Sequence, residues 1–545
     1  MEEEAATAQH ERTRMTDSRP QLSIVGTHEP EPAAGWTFER LVGPSNLFGA
    51  NGIQFGPDGR LYVAQALGAR ISAIDLPTGQ IEHVLARGPI VAPDDLDFAA
   101  DGTAYVTDVA TATTWAWKPG QVPIAHAVDQ PSNNGVTISA GGRLFVDEFR
   151  PGGRLLEVSA GGEPARVILE GLNGPNALDV GGDGRVFFPQ VFAGEVWSLD
   201  PDTGDTRRVA AGLGSPTAVK VAPDGHLIVS LSAEGVIAQI DPRTGAISTL
   251  AEVDPGIDNL ALDPSGRVFV SHYVDGQVAE VPVGAAAASQ SPRVLNAPGF
   301  VGPFDVAERP GGTLIVADGL SLAYVEGSTV SRFARLLTAD SPGLISAVHT
   351  APDGRTYIAG GNSVSQYTPA GPRLIHDDFQ SATGLALEQA DTLLVADHEA
   401  GTVLRLHPDG EEVTTLTKDV EHPTRLAIAP SESGDASVYI SDDVAGQIHV
   451  HHDGATTLFA DGLRKPQGLA VLGDRLFAVD AGTGELLAFT RASGAREVIV
   501  SGLPVGVPEG VERLIATAGL TATAAGDLII AADGDGSLIR LTPRT

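Results

Sequence analysis

The sequence predicts an all-β fold, namely two six-bladed β-propellers in tandem with four-stranded antiparallel blades. Three observations support this prediction. A unit of about 41 residues recurs twelve times along the 545-residue chain. Each unit reads as four short apolar strands separated by turns, which is typical of a propeller blade. Asp-Gly pairs recur between the first two strands, as at Asp58-Gly59 and Asp224-Gly225, and supply the positive φ that a tight hairpin needs.

The units divide the chain into two sets. Six run from about Asn51 to Gly284 and six more from about Gly302 to Thr545. We therefore predict a disordered polar tail over residues 1–34, a first propeller over 35–288 and a second over 289–545.

The strands at the ends of the two sets decide how the rings close. The last unit stops after its third strand, and a spare strand precedes each set: GWTFERLV before the first unit and SPRVLNA before the seventh. We expect each spare strand to complete the last blade of its own ring. The same strand count also permits one ring of twelve blades closed by GWTFERLV.

Composition limits the classes of partner. A net charge of −34 disfavours nucleic acid and anionic membrane surfaces, and it suits cations or a neutral small-molecule substrate. No apolar run approaches the roughly 18 residues of a membrane-spanning helix. The chain has no cysteine, which excludes disulfides, thiolate metal sites and a cysteine nucleophile. The first residues lack the apolar stretch of a signal peptide, so a cytoplasmic location is the default expectation.

In the first set, the apolar row of the first strand begins with a polar residue in every unit. These head residues are Asn51, Asp94, Asn134, Asn176, Thr217 and Asp258, spaced 40 to 43 residues apart. In a propeller they form one ring at one mouth of the central channel. Carboxylate and amide oxygens are the ligands that Ca²⁺ prefers, so the ring predicts a divalent metal site. In the second set we place Gly302, Ser346, Thr383, Thr424 and Gln467 at the same position, with no carboxylate among them.

A second layer of residues is predicted at the same mouth, because the second strand returns to the rim where the first begins. Fourteen residues after the heads stand Gln65, Asp108, Glu148, Gln190, Leu231 and His272. A carboxylate or imidazole beside a metal can activate water against a polarised carbonyl or phosphoryl group. Asp258 or His272 is the first candidate for this general base, and Glu148 is the second.

A structural interpretation of the same residues is also open. Asn and Asp begin strands because their side chains bond nearby backbone N–H groups. The second strands of the second set end in an aspartate before a glycine-containing turn, at Asp318, Asp397, Asp442, Asp480 and Asp533. The simplest interpretation is a turn-bonding residue, which makes the second propeller a scaffold or a partner that shields the substrate.

These motifs resemble the six-bladed calcium propellers of the senescence-marker-protein, gluconolactonase and paraoxonase superfamily. The segment GIDNLALDPSGRVFVSHYVDG is similar to the paraoxonase segment in which an Asp-Asn pair binds the catalytic calcium and a His follows on the next strand. By that resemblance Asp258 and Asn259 are metal ligands and His272 is a histidine at the mouth.

Further segments carry the same resemblance. APDDLDFAADG resembles the acidic pair of the family and indicates Asp94, with Asp95 beside it. Asn134 in SNNGVTI and Asn176 in GPNALDV resemble the family's asparagine ligands. The family usually places a glutamate where this chain has Asn51. With Asp258 on the family's aspartate, the neighbouring asparagine position falls on Thr217, so the ring departs from the family pattern at two places.

Three functions follow from these patterns. The resemblance implies a metal-dependent hydrolase of a lactone or related cyclic ester. One alternative is a lyase that opens a cyclic ester by elimination, similar to the streptogramin B lyases. The other is a non-catalytic binding propeller of the NHL type.

Overall fold

The structure is a computed structural model that describes residues 29–85, 88–159, 164–287, 289–296, 299–389, 392–410, 412–429, 436–506 and 517–544. These residues form twelve antiparallel sheets, of which eleven have four strands and one has five. Each sheet is one blade, and the two six-bladed propellers predicted from the sequence are confirmed.

The first two strands among the described residues precede the first propeller. They are β1 (Glu31–Pro32) and β2 (Trp36–Val42). The first propeller then uses four consecutive strands in each of six blades. They are β3 (Ala50–Phe55), β4 (Leu61–Gln65), β5 (Arg70–Asp75), β6 (Gln80–Leu85); β7 (Pro93–Phe98), β8 (Ala104–Asp108), β9 (Thr113–Trp117), β10 (Ile124–Ala127); β11 (Asn133–Ile138), β12 (Leu144–Glu148), β13 (Pro151–Val158), β14 (Arg166–Asn173); β15 (Asp179–Val180), β16 (Val186–Gln190), β17 (Glu195–Leu199), β18 (Thr206–Ala211); β19 (Pro216–Val221), β20 (Leu227–Leu231), β21 (Val236–Ile240), β22 (Ile247–Glu252); β23 (Ile257–Leu262), β24 (Val268–His272), β25 (Gln277–Val281) and β26 (Arg293–Val294).

The second propeller continues the same order through blades seven to twelve. Its strands are β27 (Pro303–Glu308), β28 (Leu314–Asp318), β29 (Ser321–Glu326), β30 (Thr329–Arg335); β31 (Ala347–Thr350), β32 (Thr356–Gly360), β33 (Ser363–Thr368), β34 (Gly371–His376); β35 (Ala382–Gln389), β36 (Thr392–Asp397), β37 (Thr402–Leu406), β38 (Val413–Thr417); β39 (Pro423–Ala429), β40 (Ser437–Asp442), β41 (Gln447–His452), β42 (Ala455–Ala460); β43 (Pro466–Leu472), β44 (Arg475–Asp480), β45 (Glu485–Thr490), β46 (Arg496–Ser501); β47 (Gly519–Ala522), β48 (Leu528–Ala532) and β49 (Ser537–Pro543). Two short 3₁₀ helices, Val191–Ala193 and Gly284–Ala286, lie between strands of the first propeller.

The innermost strands show how the rings close. β3 packs against β7 on one side and β23 on the other, whereas β47 packs against β43 and β27. These contacts close two rings of six blades, which excludes the single ring of twelve. The apolar core consists of clusters between neighbouring blades, for example Leu96 and Val106 against Ile71 and Leu85.

The two spare strands are used in the opposite way to the prediction. SPRVLNA supplies β26, which pairs with β25 and completes the first propeller. GWTFERLV supplies β2, which pairs with β49 and completes the second propeller, while β1 adds a fifth strand beside β46. The amino-terminal strand thereby covers the edge that β49 would otherwise leave open.

The division of the chain therefore differs from the predicted boundaries at 35 and 289. Residues 31–42 lie in the second propeller and residues 293–294 in the first, which is inserted between β2 and β27. Of the tail predicted over residues 1–34, residues 1–28 lie outside the described residues, and Glu31–Pro32 is a paired strand.

A buried ion pair fixes β2 in the second propeller. The Nη1 atom of Arg40 lies 2.8 Å from Oδ2 of Asp535 and donates at the same distance to Ser537 Oγ. The side chain of Asp535 is only 2 % exposed, so removing Arg40 would leave a buried carboxylate without its cation. The next residues of the chain continue this contact, because Ser45 N donates to Asp535 O.

The inner edges of the first strands face the channel, where their backbone N–H groups have no strand partner. Four buried aspartates, which we call the latch aspartates, accept these N–H groups from the next blade at 2.7–3.2 Å. Each also accepts the N–H of the residue that follows it in the chain. The latch aspartates are Asp95, Asp97, Asp179 and Asp305, and their partners are Val136, Ile138, Val221 and Val348.

Small residues allow the inner strands to approach closely. A Cβ atom on Gly52 would lie 2.5 Å from the Cα atom of Asp95, and one on Gly135 would lie 2.8 Å from the Cα atom of Ala177. A larger side chain at either position would push neighbouring blades apart. Among the described residues no helix is long and apolar enough to cross a lipid bilayer.

Deleting residues 1–42 should unfold the edge of the second propeller and leave the first intact, because β49 loses its partner β2. Hydrogen exchange measured by mass spectrometry should show faster exchange in residues 519–543 and unchanged exchange in residues 257–294. A chain lacking only residues 1–28 is the matched control. Faster exchange in β23–β26 instead would contradict the strand pairing.

Candidate metal site at the mouth of the first propeller

Two aspartates of the predicted ring lie together at the mouth of the first propeller. Asp94 is 5 % exposed; its Oδ1 atom accepts a hydrogen bond of 2.8 Å from Asn51 Nδ2, and its Oδ2 atom has no partner among the described residues. Asp258 is partly exposed, and its carboxylate has no hydrogen-bond partner within the same part of the chain. Both are acceptors that the described protein leaves largely unsatisfied.

The electrostatics show that these carboxylates influence each other. Burial raises the pKa of Asp94 well above its usual value, and the charges of Asp258, Asp95 and Asp147 raise it further. Burial, with a contribution from Asp95, raises the pKa of Asp258 to about 7. Ionising both at neutral pH therefore costs free energy, and a bound cation would offset that cost.

Unpartnered oxygens are concentrated at this end of the first propeller. The Oδ1 atom of Asp147 accepts a 3.1 Å bond from Gly135 N, whereas its Oδ2 atom has no partner among the described residues. The buried Oδ1 atom of Asn134 also lacks one. Asn134 thus has a buried amide oxygen without a partner among the described residues.

The other predicted ligands are placed differently. Asn51 donates its amide to Asp94, and Asn176 Oδ1 accepts from Ala177 N at 2.7 Å. Asn259 is buried and, like Asp258, lies at an irregularity in the pairing of β23 with β24, between Ile257 and Leu260. Among the predicted ligands, Asp94, Asn134 and Asp258 have side-chain oxygens without a partner in the described part of the chain, and Asn51 donates to Asp94; we call the first three the donor set.

The residues of the second layer lie at the predicted rim, but several of their side chains accept hydrogen bonds from backbone N–H groups of the loops. Gln65 accepts from Phe48 N, Asp108 from Val91 N and Ala92 N, and Gln190 from Asn173 N, at 2.8–3.0 Å. The second propeller repeats the contact, so its aspartates bind the loop before the first strand of their blade; Asp442 and Asp480 also accept from the turn that follows them, as the sequence predicted. Their backbone donors are Val301 and Gly302 for Asp318, Gln380 and Ser381 for Asp397, His422 for Asp442, Arg464 and Lys465 for Asp480, and Gly506 for Asp533.

Glu148 is held in a structural ion pair. Its buried carboxylate accepts from Arg150 Nη2 and Arg154 Nε, each at 2.8 Å, and from Arg154 Nη2. Burial raises the pKa of Glu148, but the hydrogen bonds from the two arginines outweigh it and lower the pKa overall. The two arginines thus hold the Glu148 carboxylate in an ion pair, which disfavours the role as general base that the sequence predicted.

His272 does not join Asp94 and Asp258. Its side chain is buried near the second propeller, where burial lowers its pKa and the charges of Asp275 and Arg335 also act on it. His272 ends β24, and Tyr273 is the first residue of the turn that follows. The residue that lies near Asp94 and Asp258 is therefore Tyr273, and not His272 as predicted.

Tyr273 is the residue that sequence reasoning missed. Burial, together with the charges of Asp94 and Asp258, raises its pKa, so the phenol stays protonated and can donate a hydrogen bond. Its ring packs against a cluster of Phe48, Leu67 and Val301, the last from the segment that enters the second propeller. The available signal was its position directly after the second strand of blade six, at the start of the turn on the same rim.

A lysine deeper in the first channel neutralises the latch aspartates. Burial lowers the pKa of Lys220, but the charges of Asp179, Asp95 and Asp97 outweigh this and raise it. Asp94 and Asp258 are not among the groups that act on Lys220 in this way. Lys220 therefore balances the charge of the latch aspartates in the first channel. Among the described residues, no lysine or arginine does the same for Asp94 and Asp258 at the mouth.

The second propeller carries its own cation at the mouth. The buried guanidinium of Arg425 donates to Phe304 O, Ser346 O and Thr517 Oγ1 at 2.7–2.9 Å, and also to Thr383 O. These acceptors come from blades seven, eight and nine and from the start of blade twelve, so the guanidinium lies across the axis.

The strand register fixes this level and corrects one alignment. Pro303 pairs with Asp318 as Ala50 pairs with Gln65, so Phe304, and not Gly302, corresponds to Asn51. Arg425 thus binds the carbonyls of head positions, at the level where the first propeller has Asp94 and Asp258. The comparison of the two mouths shows that this fold can collect oxygens around a cation on its axis.

The donor set fits a hard cation with a large coordination shell. Among the described residues no three Asp, Glu or His side chains lie close enough together to hold a metal ion. Ca²⁺ takes six to eight oxygens, and amide, carbonyl and water oxygens serve beside carboxylates. Asp94, Asp258 and Asn134 fit such an ion better than a metal that needs three charged or imidazole ligands.

A cluster of His398, His422 and Asp443 lies at the rim of the second propeller. In the chain, His398 comes directly after Asp397 and Asp443 directly after Asp442. His398 Nε2 lies 3.0 Å from Asp443 Oδ1, which also accepts from Thr424 Oγ1. The ring of His422 lies 5.2 Å from that of His398. The hydrogen bond to Asp443, with a further contact to Glu399, raises the pKa of His398, so the imidazole is part of a cluster that also contains two carboxylates.

No family model and no curated protein matches the chain. Among solved structures, a putative gluconolactonase matches with 15 % identity and a TM-score of 0.38, covering 49 % of this chain and 96 % of its own. The calcium-binding protein regucalcin from Agrobacterium tumefaciens matches with 18 % identity and a TM-score of 0.36, covering 43 % and 85 %. The extracellular domain of a putative hybrid two-component system from B. thetaiotaomicron matches with 11 % identity and a TM-score of 0.33, covering 91 % and 82 %. Similarity at this level concerns the fold alone.

The pKa of Asp258 predicts a pH dependence of stability when divalent cations are chelated. Because the folded-state pKa of about 7 lies above the ordinary value of 3.8, protonated Asp258 favours the folded state. That contribution is complete below pH 3.8 and is lost as the pH rises through about 7. Relative to Asp258→Asn, the wild-type protein should lose up to about 4 kcal/mol of unfolding free energy between these values.

Urea denaturation at several pH values measures this difference. Asp224→Asn, which removes an equal charge from an exposed turn, should run parallel to the wild-type protein. A wild-type to Asp258→Asn difference that does not change with pH would contradict the burial of this carboxylate.

Proposed function

We propose that the first propeller binds a hard divalent cation, Ca²⁺ in the first instance, and hydrolyses a lactone or related cyclic ester at the same mouth. The observation that supports the cation is the pair Asp94, which is buried, and Asp258, which is partly exposed; the charge of Asp258 acts on Asp94, and neither has a protein cation beside it among the described residues. Arg425 occupies the corresponding level of the second propeller. The lactone as substrate class is supported by the sequence resemblance of the segment around Asp258.

The ligands in this proposal are Asp94, Asp258 and the amide oxygen of Asn134. Asn51 orients Asp94 through its 2.8 Å hydrogen bond. A bound cation would polarise the ester carbonyl as a Lewis acid. All further contributions come from the chain itself.

Two side chains then act on the substrate. Asp258, the less buried carboxylate, accepts the proton of the attacking water. The protonated phenol of Tyr273 donates a hydrogen bond to the carbonyl oxygen on which negative charge develops. The apolar side chains of Phe48, Leu67 and Val301 pack beside Tyr273 and limit access of bulk water from that side.

Elimination and binding without catalysis are the competing functions. Elimination needs a base close to an acidic C–H group, and the histidine predicted for the mouth lies elsewhere. A binding propeller would use the same cation without needing the phenol of Tyr273. Hydrolysis is favoured by a carboxylate and a protonated phenol close enough for the charge of Asp258 to act on Tyr273.

Calcium should bind the wild-type protein and raise its melting temperature. Ligand present at 100 times its dissociation constant contributes about 2.7 kcal/mol to the folded state. Asp94→Asn and Asp258→Asn should each weaken binding at least about tenfold, because each removes a charged oxygen ligand. Isothermal titration calorimetry on chelator-treated protein measures this, with Asp224→Asn as the control of equal charge.

Two outcomes would contradict the proposed cation site. If the wild-type protein binds no Ca²⁺, Mg²⁺ or Mn²⁺, or if both variants bind as tightly as the wild type, the cation site is not at this mouth.

Hydrolysis of a lactone panel in ¹⁸O-water should place one ¹⁸O atom in the carboxylate of the product. Tyr273→Phe should lower kcat by roughly 100-fold, as expected for the loss of one donor to a developing oxyanion, while Ca²⁺ affinity stays unchanged. Tyr105→Phe makes the same chemical change away from the mouth and should have no effect.

The two alternatives give different results in this assay. An ultraviolet-absorbing alkene without ¹⁸O would identify elimination. Calcium binding without turnover of any lactone would identify a binding propeller.

A further inference from the structure

A crevice opens on the outer side of the first propeller, away from its axis. It has a volume of about 350 Å³ and lies between the outermost strand of blade two and the third strand of blade three. Its lining includes His126, Gln130, Arg154 and Leu156, with Pro164 and Ala165 at one side. The volume lies at the lower end of the range for small-molecule sites.

Gln130 presents an unpaired donor to this crevice. The residue is 1 % exposed, and its Oε1 atom accepts a 2.6 Å hydrogen bond from Thr114 Oγ1. In this orientation of the amide, the Nε2 atom has no partner among the described residues. A buried amide donor without a partner is unfavourable, so a ligand oxygen there would be stabilising.

His126 adds a second unpaired polar atom. It sits at an irregularity in the pairing of β10 with β9, between Ala125 and Ala127. Its ring lies edge-on to Tyr105 at 5.0 Å, and its Nε2 atom is buried without a partner in the described part of the chain. Burial lowers the pKa of His126, so the ring is neutral and can donate from Nε2.

The backbone around Gln130 is held in an unusual conformation. Ala112, Asp129 and Ser132 have φ values of 51°, 59° and 60°, a left-handed region that residues other than glycine rarely adopt. Gln130 N donates to Ala112 O at 3.0 Å, and Asn133 N donates to Gln130 O at 3.1 Å. Such backbone conformations are concentrated at ligand sites, where they hold a side chain in place.

The walls and charges define the class of ligand. Leu156, Pro164 and Ala165 are apolar, whereas the unpaired polar atoms are hydrogen-bond donors. Arg154 lines the same space, and its guanidinium is shared with the buried Glu148. Asp129 is also part of the lining and disfavours a second negative charge on the ligand.

We propose that this crevice is a binding site for a small monocarboxylate with a short apolar chain. The carboxylate accepts hydrogen bonds from Gln130 Nε2 and His126 Nε2 near the positive charge of Arg154. The apolar chain lies against Leu156 and Ala165. The site is separate from the mouth of the propeller, and it requires neither the cation nor the hydrolysis proposed there.

Calorimetric titration of the full chain with butyrate tests the proposal, with butyramide and butylammonium as neutral and cationic analogues. Butyrate should bind at one site, butyramide more weakly and butylammonium not at all. Gln130→Glu keeps the acceptor for Thr114 and replaces the donor with a carboxylate. It should weaken butyrate binding by about tenfold or more.

Ala165→Phe provides a second variant, which fills the crevice without removing a polar contact and should also prevent binding. Asp224→Asn should bind butyrate as the wild type does. Melting curves show whether each variant is folded, and Ala165→Phe decides the question if Gln130→Glu is not. Absence of butyrate binding at about 10 mM, or binding that neither variant weakens, overturns the proposal.

Discussion

Both propellers depend on the way in which the inner edges of their first strands are satisfied. Six strands meet around each axis, and the backbone N–H groups that point into the channel have no neighbouring strand. The latch aspartates supply acceptors for these groups and so join one blade to the next. This solution places negative charge close to the axis, where water is limited. The charge on the axis then has to be balanced by cations.

The two propellers balance that charge differently. In the second, Arg425 crosses the axis and binds oxygens of four blades. In the first, Lys220 serves the latch aspartates deeper in the channel, and Asp94 and Asp258 at the mouth have no equivalent cation among the described residues. Acidic residues in the first channel therefore belong to two groups. The latch aspartates are explained by backbone hydrogen bonds, whereas for the pair at the mouth we propose a ligand that carries positive charge.

Much of the fold could be read from the sequence because the repeat encodes it directly. The recurring Asp-Gly turns and the apolar rows located the strands, and the row beginning at Asn51 located the ring at one mouth. The use of GWTFERLV in the second propeller could not be read in this way, since pairing with β49 depends on contacts between the two ends of the chain, such as that of Arg40 with Asp535.

The candidate site was predictable only in part. Side-chain type pointed to Asp94, Asn134 and Asp258, but it could not separate unsatisfied carboxylates from latch aspartates such as Asp95 and Asp97. Glu148 and His272 looked equally suitable until their surroundings were known: two arginines hold the first, and the second lies towards the second propeller. Resemblance to a calcium-binding segment favoured His272, whereas it is Tyr273, in the turn after β24, that lies within reach of the charges of Asp94 and Asp258. These differences arise from orientation, which a residue pattern does not specify beyond the alternation of a strand.

The most direct test of this account is a crystal structure of the protein soaked with Mn²⁺, with anomalous diffraction data. We expect a single strong anomalous peak on the axis of the first propeller, within bonding distance of carboxylate oxygens of both Asp94 and Asp258, and none on the axis of the second, where Arg425 lies. A first axis without a peak, or a peak bound only by other residues, would contradict the central claim that this carboxylate pair is built to hold a cation.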